Sequence, residues 1–144
     1  MPFIWHDPTA PGHGQIDSGL ASSIDIAPTI LARAGIQPFN GMQGRDLHTT
    51  PPPEAVIIEE DRQRTMPGFE RPQRVRTEVT QQHRMSLREG ETWNELYDLA
   101  ADPGETENLY DRPAGRAART NLTEIMLRRM IALQDRSPLP AYRA

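Results

Sequence analysis

The chain has 144 residues, 36% of them hydrophobic, with 14 prolines and 10 glycines and a mean hydropathy of -0.67. That is one domain's length with little core material, so incomplete burial is expected of the chain standing alone. Sixteen basic against twenty acidic side chains leave a net charge of -4, the wrong sign for a nucleic-acid binder; with neither lysine nor cysteine present, Schiff-base chemistry, disulfides, thiolate zinc sites and a cysteine nucleophile are excluded.

The first apolar run, Pro2-Phe3-Ile4-Trp5, ends at a turn-like stretch through Gly12. Its aromatic and β-branched content predicts a buried strand, and the lack of alternation suits a parallel sheet covered on both faces. A helix is predicted from Ser22 to Gly35. Ser23 or Asp25 can cap it, Pro28 sits in its first turn, Gly35 ends it, and Ile26, Ile30, Leu31 and Ala34 fall on one face. Gly41 to Leu47 reads as a turn, and Thr50-Pro51-Pro52-Pro53 as a stiff linker. That linker divides the chain into residues 1–50 and 51–144.

Beyond it, Ala55 to Ile58 is a short apolar strand and Arg62 to Pro72 a loop. Arg74 to Val79 and Arg84 to Arg88 alternate as half-exposed antiparallel strands do. Trp93 to Leu99 is a further strand, with Leu96 and Tyr97 facing opposite ways, and Asp102-Pro103-Gly104 closes it. The last element is a helix from about Pro113 to Gln134, with Leu122, Ile125, Met126, Met130 and Leu133 on its apolar stripe and Arg128 and Arg129 off it. No signal peptide and no run of about 18 apolar residues is present, so the sequence predicts a soluble chain, cytoplasmic by default.

The pieces Pro2 to Ile4, Asp25-Ile-Ala-Pro-Thr-Ile-Leu31 and Gly41-Met-Gln-Gly-Arg-Asp-Leu47 occur in the order seen near the end of a sulfatase. Arg74-Val-Arg-Thr77, Glu95-Leu-Tyr-Asp-Leu99, Asp102-Pro-Gly-Glu105 and Asn108-Leu109 follow in the same order. The chain thus resembles the C-terminal portion of the sulfatase family, within the alkaline-phosphatase-like superfamily. The resemblance implies an α/β architecture, here an α+β fragment. Residues 1–50 would give the edge strand and helix of the catalytic domain, and residues 51–144 a small antiparallel sheet covered by a long C-terminal helix.

The resemblance also implies hydrolysis of a sulfate ester, with a formylglycine made from a Cys/Ser-x-Pro/Ala-x-Arg motif and a divalent cation, typically calcium, held by Asp and Asn. That motif, the family's acidic metal ligands and its lysine are missing from these residues. Arginines alone supply no nucleophile for sulfate transfer. The expectation is therefore a fragment inactive by itself, with no catalytic residue and no metal ligand of its own. His6 and His13 would border a substrate pocket, and the partner would be the missing N-terminal catalytic portion. A solvated loop is the plainer reading of both histidines. The alternatives are an autonomous protein-binding module, or a structural subunit completing a separately encoded catalytic half. The parent could instead be a phosphonate or phosphate ester hydrolase.

Overall fold

The structure is a computed structural model and describes residues 4–8, 14–39 and 41–133. Four strands, β1 (Ala55–Asp61), β2 (Arg74–Thr80), β3 (His83–Arg88) and β4 (Glu95–Asp98), form one antiparallel sheet in sequence order. Two helices accompany it, α1 (Ile26–Arg33) and the long C-terminal α2 (Arg116–Ala132).

The meander follows from local signals. Gln81 and Gln82 join β2 to β3, and the Thr80 hydroxyl accepts from the His83 amide at 2.9 Å to tighten the turn. The register sets Ile57 beside Glu78, Glu78 beside Met85 and Met85 beside Leu96. Because side chains alternate along a strand, these residues share the face on which α2 lies. There Met85, Leu96, Leu122 and Met126 form the buried core, with Ile57, Leu87 and Met130 packed around it. Pro113 opens the 3-10 turn that leads into α2, where its fixed φ suits the start of a helix. Ile125 is half-buried.

The opposite face carries Val75 and Tyr97, both buried, and Ile58, which is 53% exposed. Leu96 and Tyr97 do face opposite ways, yet both are buried, so neither side of β4 is the wet face that alternation suggests. Similarly, the valines of β2 point away from the main core while Glu78 points into it. The apolar pattern of a strand cannot say which of two covered faces α2 occupies.

The edges of the sheet differ. On β4 the outer edge is closed by the following turn: the Leu109 amide bonds the Leu96 carbonyl at 2.8 Å, and the Asn108 carboxamide accepts from the Leu96 amide at 3.0 Å. No strand among the described residues pairs with the outer edge of β1.

Ahead of the proline linker, α1 ends as its glycine requires. Gly35 has φ +70°, and the amides of Gly35 and Ile36 return to the carbonyls of Ala32 and Leu31, a Schellman closure. The strand expected over Pro2–Trp5 is not formed by its described residues. Ile4 and Trp5 lie outside any strand, and Ile4 is 87% exposed; a parallel strand needs neighbours for its ladder, and the described residues supply none there. Residues 1–3 lie outside the described part.

Candidate functional site

The segments that carry the family resemblance interlock, and they do so through hydrogen bonds from side chains to backbone groups. Asp25 is buried; its carboxylate accepts from the Ser22 amide and from the Arg45 amide, both at 2.9 Å. Thr29, fully buried, donates to the Asp25 carbonyl at 2.6 Å and accepts from the Leu47 amide at 3.0 Å. Gly44 lies so close to the Ile24 carbonyl that an added Cβ would collide with it. The Asp25 helix and the Gly41–Leu47 turn are therefore two halves of one clamp. A carboxylate, a hydroxyl and a missing side chain are each needed for its geometry.

The second set behaves alike. Asp102 accepts from the amides of Thr106 at 2.7 Å and Glu107 at 2.8 Å, and these bonds, that from Glu107 foremost, hold its carboxyl below the usual carboxylate range. Asn108 bridges three strand and turn groups: it accepts from the amides of Leu96 and Tyr110 and donates to the Asn94 carbonyl. Glu105, in the left-handed region at φ 54°, reaches back to Arg84 at 2.5 Å. Burial raises the Tyr97 phenol above its ordinary pKa, and the guanidinium of Arg84 lies over its ring, 5.1 Å from the centroid. These are scaffold chemistries.

His6 is exposed, and His13 lies outside the described residues. His48 packs edge-on against Trp5, ring centres 5.4 Å apart. His83 is half-buried and lines a groove of about 410 Å³ with Pro52, Glu54, Gln82 and Ile125. Trp93 is 53% exposed beneath the Arg88 guanidinium, 4.0 Å from the ring centre. Glu59 and Asp61 are wet, and Arg76 of β2 balances them, at 3.0 and 2.7 Å; Arg62 pairs with Glu60. That hydrogen-bonded pairing, to Asp61 first, holds the Asp61 carboxyl low and the Arg76 guanidinium high.

Glu78 is the functional-looking residue that strand alternation conceals. Its pKa is pushed up to about 7, chiefly by burial and then by the charge of Glu54. For the calcium and formylglycine implied by the resemblance, the residues present do not fit. The described residues bring together no trio of His, Cys, Asp or Glu able to hold a metal ion, and the sequence has no cysteine to convert.

The family described as N-sulphoglucosamine sulphohydrolase, C-terminal, matches residues 1–132. This chain belongs to that family. Three solved structures share its fold. BT4656, in complex with its substrate D-glucosamine-2-N,6-O-disulfate, is 22% identical over 79% of this chain and 24% of its own, with a TM-score of 0.65. A putative sulfatase from Bacteroides thetaiotaomicron is 20% identical over 77% of this chain and 25% of its own, also at 0.65. BT1596, a 2-O GAG sulfatase, gives the same values. The chain thus spans about a quarter of the length of these proteins. No curated protein sequence matches it. Among the described residues no helix is long and apolar enough to cross a membrane.

Proposed function

We propose that this chain is the C-terminal portion of a sulfatase-type sulfuric ester hydrolase. It supplies the α1 clamp and the small sheet to a catalytic domain whose nucleophile and calcium ligands are encoded outside these residues. The observation that supports this reading best is the contrast within α1. Asp25 and Thr29 are locked by hydrogen bonds while Ile26 and Ile30, on the face predicted to be apolar, are 36% and 52% exposed. Ile24, Ile36 and Phe39, before and after α1 in the chain, are exposed as well. Exposed apolar side chains grouped in this way mark a surface that another body covers; the occupant we assign is the remainder of the α/β domain. The family is that of N-sulphoglucosamine sulphohydrolase and BT4656 takes D-glucosamine-2-N,6-O-disulfate as its substrate, and sulfated amino sugars are the substrate class proposed for the parent.

Two assays test this. The purified chain, supplied with calcium and an aryl sulfate or N-sulfated glucosamine, is expected to show no turnover. Co-expressed with a sulfatase-type α/β portion that lacks its own C-terminal quarter, it is expected to restore turnover. Metal-dependent hydrolysis by the chain alone overturns the proposal. A second reading, an autonomous binding module, draws on the closed core between α2 and the sheet. A folded monomer with a cooperative melting transition and no affinity for the α/β portion would favour that module.

A further inference from the structure

Glu78 lies mid-strand in β2, on the face that α2 covers, between Ile57 of β1 and Met85 of β3. It is fully buried, and neither carboxylate oxygen meets a hydrogen-bond donor. Arg129, predicted to lie off the apolar stripe of α2, instead has its Nε buried and also without a hydrogen-bond partner. The guanidinium is close enough to lower the Glu78 pKa, though less than burial and Glu54 raise it.

Among the other charged groups on that face, Arg74 is paired with Glu89 at 3.7 Å, and Glu54 is near enough to raise the Glu78 pKa. Arg76, the previous residue of β2 on the same side, is bonded to Glu59 and Asp61. His83 of β3 lies in the groove beside Glu54 and Ile125. The immediate neighbours on β1 and β3, Ile57 and Met85, carry no charge. A carboxyl in this setting is tolerated neutral; ionised, it needs donors that the closed interface does not provide.

We propose that Glu78 is a protonation-controlled latch for α2: neutral, it lets the helix lie closed on the sheet, and ionised, it forces the packing around Arg129 open until the guanidinium or water reaches the carboxylate. The two partners sit on separate elements, so a change of charge on one must be answered by movement of the other. Met85 and Met126, members of one buried cluster, report on that movement.

The test is a titration of the full chain carrying methyl-13C methionine, followed by NMR from about pH 5.5 to about 8.5, the range that brackets the raised pKa. The Met85 and Met126 methyl signals should shift together with one midpoint near 7, and Glu78→Gln should flatten both curves. Arg129→Met should move the midpoint up and Glu54→Gln should move it down, by the loss of an attraction and of a repulsion. Both variants keep Glu78, so they decide the matter even where Glu78→Gln does not fold. Methyl signals that stay still in the unmodified chain, that titrate unchanged in Glu78→Gln, or whose midpoint ignores both other variants would overturn the latch.

Discussion

The parts of the molecule on either side of the proline linker are held together by different physics. Residues 14–50 fix their backbone with a buried carboxylate, a buried hydroxyl and a close glycine contact, and leave Ile16, Ile24, Ile26, Ile30, Ile36 and Phe39 exposed. Residues 55–133 do the reverse, burying Met85, Leu96, Leu122 and Met126 in one cluster and, Glu78 apart, keeping their acidic and basic side chains at least partly wet. Hydrogen bonds specify a shape without supplying much net stability, whereas apolar burial supplies most of it. The first region is therefore shaped more than it is stabilised, which suits the proposal that another body covers it.

Mutations can sharpen or erase this contrast. Leu96→Ala, which empties a fully buried position, should cost about 2–5 kcal/mol in urea unfolding followed at Trp93. A smaller loss would mean that the second region is not the stabilising one. The next largest effect has the opposite sign. Folding raises the Glu78 pKa from 4.5 to about 7, so the native state holds a proton that the unfolded chain releases. No penalty exists below about pH 4.5; it grows as the pH climbs towards 7 and is complete above that, at about 3 kcal/mol. Glu78→Gln should recover a stabilisation of that order at pH 8 and almost none at pH 4, as measured by melting at both pH values.

Thr29→Val removes the hydroxyl between the Asp25 carbonyl and the Leu47 amide and should cost about 1–3 kcal/mol. With Trp93→Phe as background, Trp5 fluorescence should register the loss in the first region while α2 keeps its amide-exchange protection. Equal loosening of both regions would show that the clamp and the sheet unfold as one unit. The smallest effect should be at Ile30→Ser on α1, within about 0.5 kcal/mol. A clear destabilisation there would deny that the surface awaits a partner; a large fall in affinity for the α/β portion would support it.

Legibility in the sequence followed the same division. The meander could be placed because Arg74 to Val79 and Arg84 to Arg88 alternate in short runs and Asp102-Pro103-Gly104 closes the last strand, and α2 because Leu122, Met126 and Met130 repeat at helical spacing. The α1 limits were equally plain from Asp25, Pro28 and Gly35. Side-facing was not legible. Val75 and Val79 advertise the buried face of β2, yet Glu78 occupies the one under α2, because both faces are partly covered and local pattern cannot rank them. The Gly44–Arg45 contact with Asp25 links residues 20 apart, and only the family resemblance tied those segments together. A strand at Ile4-Trp5 read well from composition, but composition does not supply neighbours.

The open flank of β1 has a practical consequence. The alternate amides and carbonyls of β1 that point away from β2 meet no strand among the described residues, and its second half is Glu59, Glu60 and Asp61. Two copies meeting side by side in parallel register would bring like charges together, which discourages fibril-like growth. Added salt shortens the reach of that repulsion, to about 8 Å at physiological ionic strength, and acid removes it by neutralising the carboxylates. Preparations kept dilute, at low salt and near neutral pH should therefore stay clear longest.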